Sequence, residues 1–299
     1  MTLSASDIEL LLTSWELSLR AERKSPQTLK SYGDGVRTYL KWASANDLEA
    51  DLSRAQVRAF TDGLLAGGAA ASTARSRQLA VRRFSAWLAE EGEIEVDHLV
   101  GLKPPKLDPQ VIEPLEDSEL KALVKACSGT DMRDRRDEAI VRFMAETGTR
   151  AGEVAVLKIS DVDLRNSVVI VRRGKGGKGR RVPIGPQVAQ AIDRYIRSRR
   201  THRLADTDDL WLGDRGKKFS YDALHKSLRM RADRAGIERF HPHLLRHTAA
   251  HRWLAAGGSE GGLMAVAGWT RPDMLMRYTR ARAEARAAEE AKKLNLGDL

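Results

Sequence analysis

Arg150, Lys175, His243, Arg246 and Tyr278 are the side chains of this sequence whose types and settings fit a single chemistry. Arg150 lies in Thr147-Gly148-Thr149-Arg150-Ala151-Gly152-Glu153, and Lys175 in Gly174-Lys175-Gly176-Gly177-Lys178. His243 and Arg246 share His243-Leu244-Leu245-Arg246-His247, and Tyr278 stands in Arg277-Tyr278-Thr279-Arg280. Permanent cations, an imidazole and one phenol suit a phosphodiester drawn onto a phenolic nucleophile. Guanidinium forks match non-bridging phosphate oxygens, and a phenol of pKa about 10 needs neighbouring positive charge to attack phosphorus.

Each setting also has an ordinary reading. An arginine that opens a helix after Thr-Gly-Thr aims its fork where free backbone N–H groups point, which is a good anion site; a surface arginine after a helix-ending glycine has the same local sequence. Glu153 can pair with a neighbouring cation, orient a histidine, or simply favour a helix N-terminus. The glycine-rich segment around Lys175 lacks the Ser/Thr and following helix of a nucleotide-binding P-loop, because Val182-Pro183 comes next. A lysine at a hairpin tip can still deliver a proton or a charge to a nucleic-acid strand, and an exposed basic turn has the same composition. His243, His247 and His251 recur at helical spacing and could hold zinc, but no carboxylate accompanies them and Arg246 opposes a cation. His243 and Arg246, three apart, can instead grip two oxygens of one phosphate. A plain amphipathic helix burying Leu244, Leu245 and Trp253 is the third option.

Elements that could position these groups are legible. Ile8, Leu11, Leu12, Trp15 and Leu19 recur at helical spacing. Ser25-Pro26 starts a second helix, with Tyr32, Val36, Tyr39, Leu40 and Trp42 on its buried side. Asp51-Leu52-Ser53 opens a third that ends near Gly67-Gly68. Ser72-Thr73 opens a fourth, apolar at Leu79, Val81, Phe84, Trp87 and Leu88 and closed by Gly92. Arg75, Arg77, Arg82 and Arg83 crowd that helix, either as a solvated face or as contacts to DNA phosphates and guanine edges. Residues 103–114 hold Pro104, Pro105, Pro109 and Pro114, an extended connector. Beyond it, a short helix follows Asp117-Ser118 and another contains residues 138–144. Residues 156–159, 167–172 and 180–184 read as strands, the last two joined by the glycine-rich turn. A helical stripe resumes after Pro186 with Val188, Ala191, Ile192, Tyr195 and Ile196. The expected class is mainly α with a small antiparallel β-sheet (α+β).

Composition narrows the partners. The chain has 299 residues, 42% of them hydrophobic and 31% charged, which fits about two folded domains and argues against general disorder. Its 51 Lys and Arg against 41 Asp and Glu give a formal charge of +10, which favours a polyanion through counterion release. Cys127 is the single cysteine, so no disulfide forms within one chain; with Leu120, Leu123 and Val124 it belongs to an apolar stripe. The N-terminus shows no signal-peptide pattern, and no apolar run approaches the roughly 18 residues of a membrane span. The expectation is a reducing cytoplasmic compartment and no membrane.

In their order these motifs resemble the tyrosine recombinase, or phage integrase, family. Thr147 to Arg150 with Glu153 is similar to the family's first arginine box, Gly174-Lys175-Gly176 with Lys178 to its β-hairpin lysine motif, His243 to His247 to its second box, and Tyr278 to its nucleophile. The resemblance implies a SAM-like helical core-binding domain over 1–102, a linker over 103–113 and a catalytic domain over 114–299. Tyr278 would attack the scissile phosphate to give a 3′-phosphotyrosyl link. Arg150, Arg246, His243 and Trp269 would stabilise the oxygens, Lys175 would protonate the leaving 5′ oxygen, and Glu153 would support the histidine. Where most members carry a second histidine, this chain has Gly268-Trp269; an indole N–H can donate to phosphate but cannot shuttle a proton. No metal, ATP or other cofactor is implied. The implied partner is a double-stranded DNA recombination site, clamped between the two domains by a homotetramer that exchanges C-terminal helices, residues 281–294 being the candidate segment. A mobile-element integrase is the expected role and a Xer-type dimer resolvase the alternative. A type IB topoisomerase and a DNA-binding regulator without catalysis are the rivals.

Overall fold

Serine caps and evenly spaced apolar side chains account for the beginning of the chain. The computed structural model describes residues 5–107, 112–172, 179–271, 275 and 292, and the chain divides into two units, Met1–Gln110 and Val111–Leu299. The first unit holds α1 (Ala5–Ala21), α2 (Pro26–Ala45), α3 (Arg54–Ala66) and α4 (Ala71–Glu90). Ser25 accepts from the Thr28 amide just before Pro26, and Ser53 accepts from the Gln56 amide. Each satisfies a first-turn N–H that the helix itself cannot pair. Ile8, Leu12, Trp15 and Leu19 of α1 share one core with Val36, Tyr39, Phe60, Val81, Phe84 and Leu88. Trp15 stacks on Tyr32 with ring centres 5.6 Å apart. Leu79, expected on the apolar side of α4, is 38% exposed, because the buried face runs through Ala74, Gln78, Val81, Ser85 and Leu88 instead.

The second unit is built around a helix buried over most of its circumference, with Glu138 and Arg142 paired on the remaining side. Ala139, Ile140, Val141, Phe143 and Met144 of α6 (Met132–Thr147) are all buried, as a helix surrounded by other elements requires. Its neighbours are α5 (Asp117–Ala126), α7 (Ala151–Ala155), α8 (Pro186–Arg199), α9 (Tyr221–Arg234) and α10 (Pro242–Ala255). The last described helix is α11 (Glu260–Ala267). Buried Asp137 ties α6 to α9: it accepts from Arg136, from Ser227 Oγ at 2.8 Å and from Arg231 Nε at 2.9 Å. Cys127 is wholly buried in this core.

Three short strands, β1 (Val162–Asp163), β2 (Val168–Val171) and β3 (Arg180–Pro183), form an antiparallel sheet in that order. Val169 opposite Val182 and Val171 opposite Arg180 set the β2–β3 register. The strand expected over 156–159 does not form. Val156 caps α7 and is exposed, and Lys158 makes a single bridge to Asp209. From Ile159 the chain turns in a short 3-10 segment, with the Lys158 amide donating to Asp161. Its apolar alternation records burial of Leu157, whereas the ladder begins at Val162. The chain is mainly helical with one small antiparallel sheet. Among the described residues no helix is long and apolar enough to cross a membrane.

Candidate active site

Helix α6 ends at Gly148, whose left-handed φ of 62° lets the chain reverse and point the next residues back into the unit. Thr147 and Thr149 lock that turn with a 2.9 Å hydroxyl contact, both side chains buried. Arg150 then caps α7. Its amide donates to Glu153 Oε2 and its guanidinium to Glu153 Oε1, each at 3.0 Å. The same guanidinium reaches the Gly268 carbonyl from Nη1 at 3.4 Å. Arg246, on α10, is buried and donates to the Gly148 and Ala267 carbonyls. Its guanidinium carbon lies 5.1 Å from the centre of the Trp269 ring, within range for a cation–π contact.

The turn after α11 gathers these groups. Gly268 ends the helix with φ of 66° and so turns Trp269 into the interior. The carbonyls of Val266, Ala267 and Gly268, the electronegative end of α11, accept from Arg180, Arg246 and Arg150 respectively. Three guanidinium groups thus converge on one helix end, with the carboxylate of Glu153 between two of them. Arg180 Nη2 donates to Glu153 Oε2 at 2.8 Å and Nη1 to Oε1 at 3.1 Å. Burial pushes the Glu153 carboxyl upward, but the hydrogen bonds and charge of Arg180, then of Arg150, outweigh it and hold the group below its ordinary value. Glu153 therefore ties arginine to arginine, the cation-pairing option among its sequence readings.

Of the sequence-derived candidates, Arg150, Glu153, Arg246 and Trp269 meet in this cluster. His243 occupies the first turn of α10, one turn before Arg246, with its exposed ring 5.1 Å from that of buried His247. Lys175, Lys178 and Tyr278 lie outside the described residues. In the first unit, Arg75 and Arg83 of α4 are exposed, and Arg77 and Arg82 are half-buried. Among the described residues no group of three His, Cys, Asp or Glu side chains is set to hold a metal. Arg180 was not singled out in the sequence, where it reads as one more cation of a basic turn. The available signal is its strand parity: it shares a face with buried Val182, while Arg181 points the other way.

Residues 113–285 match the phage integrase family and residues 12–92 match the N-terminal SAM-like domain of phage integrases. Tyrosine recombinase XerA of Thermococcus kodakarensis is 32% identical over 288 residues, covering 95% of each chain. A crystal structure of the XerH site-specific recombinase bound to its palindromic difH substrate in a post-cleavage complex has the same fold. Its TM-score is 0.73 at 18% identity, covering 96% of this chain and 84% of that one. A λ integrase tetramer bound to a Holliday junction gives a TM-score of 0.68 at 16% identity, over 88% of this chain and 77% of that one. The chain belongs to the phage integrase family and is a tyrosine recombinase, an enzyme of site-specific DNA recombination.

Proposed function

We propose that this enzyme cleaves and rejoins double-stranded DNA at specific sites through a 3′-phosphotyrosyl intermediate, integrating or excising a mobile element. The observation that carries the reading is the convergence of Arg150, Arg246 and Trp269 on one turn. Fixed positive charge held in place before the reaction stabilises a phosphorane-like transition state without reorganisation. Tyr278 Oη attacks the scissile phosphorus and the 5′ oxygen leaves, protonated by Lys175. His243 assists as base toward the phenol, and Arg150, Arg246, His243 and Trp269 carry the charge of the non-bridging oxygens. The bond energy is kept in the new ester, so attack by the partner strand's 5′-hydroxyl reverses the step with no metal or nucleotide. Residues 1–102 would bind the core site, with Arg75, Arg77, Arg82 and Arg83 on phosphates or bases and Lys178 beside the cleaved strand. Residues 103–113 would serve as the linker and 114–299 as the catalytic domain.

Two duplexes must be cut, so the working form is a homotetramer on DNA that exchanges residues 281–294 between copies. A cleft between α5, α6 and α8, with Leu120, Val124 and Val188 among mixed charges, supports that reading as a place for an alanine-rich segment. A second role, Xer-type resolution of chromosome or plasmid dimers, is favoured by the Xer naming of the Thermococcus relative. Selecting trapped DNA from a randomised duplex pool would yield the site, and a plasmid bearing two copies should then recombine. Relaxation of supercoils without recombination would contradict the proposal and favour a topoisomerase. Transfer between a circular element and a chromosomal site separates integration from dimer resolution. Deleting the residues after Arg280 should leave cleavage intact and abolish strand exchange; unchanged exchange would remove the helix-swapping component.

A further inference from the structure

We propose that Arg180 is a positioning residue for this reaction, acting through Glu153 on Arg150 and through the Val266 carbonyl on the turn that carries Trp269. The inference rests on the strand-cleavage reading above. Arg180 opens β3, directly after the glycine-rich segment of Lys175, and its side chain is only 13% exposed. All three of its guanidinium nitrogens donate: Nε to Val266 O at 2.8 Å, Nη1 and Nη2 to the two oxygens of Glu153. Two carboxylate oxygens and one backbone carbonyl thus fix its guanidinium, as a residue that holds other groups in place requires. Contact with the turn is close. A Cβ built on Gly268 would stand 2.8 Å from the Arg180 guanidinium carbon, so a side chain there would displace that group, and the φ of 66° favours glycine besides.

Electrostatics gives the arrangement a purpose. A lone Glu153 paired only to Arg150 would cancel much of the charge that a phosphate needs. With Arg180 taking both carboxylate oxygens, Glu153 is shared, and the Arg150 fork is held in place while keeping a net positive field. One residue of β3 thereby links the arginine that caps α7 to the tryptophan turn after α11.

The test is a double-mutant cycle on single-turnover adduct formation at saturating DNA, using a nicked duplex that carries the selected site. R180A should slow cleavage by roughly 10- to 100-fold while changing DNA affinity less than about 3-fold, because an interaction made through Arg150 acts on the chemical step. R180A/E153A should lose far less than the product of the two single losses, since both changes break the shared Arg180–Glu153 connection. R180K, which keeps the charge but not the fork, should fall between R180A and wild type. A wild-type rate in R180A, or losses that multiply in the double variant, would overturn the assignment. If the alanine variants do not fold, the same cycle with R180K and E153Q decides by the same criterion. Wild-type protein that traps no DNA would instead sink the cleavage reading itself, so the two failures are distinguishable.

Discussion

Glu153 is the residue on which the site's charge balance turns. It is 5% exposed and accepts from two arginines, and its carboxyl is held below the ordinary glutamate value of 4.5, with burial opposing and Arg180 leading the stabilisation. Because the folded value is the lower one, its share of stability is complete above about pH 4.5 and is lost as pH falls through the folded value. Melting temperatures of the wild type and E153Q should therefore differ most near neutral pH and converge in acid. A gap that stayed constant down to acid pH would show that Glu153 is not held as an anion. At the same scale, Cys127 has its thiol pushed up to about 12, first by burial and then by the charge of Asp137. It should resist alkylation at pH 8 until the protein unfolds, which mass spectrometry of labelled native protein would check; rapid native labelling would place the thiol at the surface.

At the scale of elements, two left-handed glycines do the positioning. Gly148 turns α6 toward α7 and offers its carbonyl to Arg246; Gly268 turns α11 toward Trp269 and offers its carbonyl to Arg150. G148A should cost about 1–2 kcal/mol from the left-handed backbone alone, with the added methyl 3.4 Å from Ala249 Cβ. Urea unfolding measures that loss, and an unaltered midpoint would contradict the strain. Much of this was legible in the sequence: Ser25 and Ser53 as caps, Gly148 before Arg150, and the apolar stripe of α8 all follow from local rules. The strand expected over 156–159 shows where such rules stop, since Leu157 is buried by tertiary packing beside Leu210 while the backbone makes one bridge. Arg180 was hidden for a related reason. Its strand parity is visible, but its partner Glu153 lies 27 positions earlier and only the fold brings them together.

For the whole molecule, the net charge of +10 favours a polyanionic partner, and the DNA contacts proposed for the α4 arginines can be tested one by one. Each arginine of Arg75, Arg77, Arg82 and Arg83 that meets a phosphate should, when changed to alanine, lower the slope of log affinity against log salt by about 0.9. One that reads a base should instead relax sequence preference at one position. Slopes and preferences unchanged in all four variants would return α4 to a merely solvated role. Cleavage at saturating DNA should be unaffected, because these residues belong to the first unit and the guanidinium cluster to the second.

The most direct test concerns the phenol of Tyr278. Wild-type protein incubated with a nicked duplex, then denatured, should migrate as a covalent protein–DNA species, and proteolysis should leave the 3′ phosphate on the peptide that contains Tyr278. Y278F should form none while still binding the duplex. An adduct that persists in Y278F, or one mapped to another residue, would contradict the account.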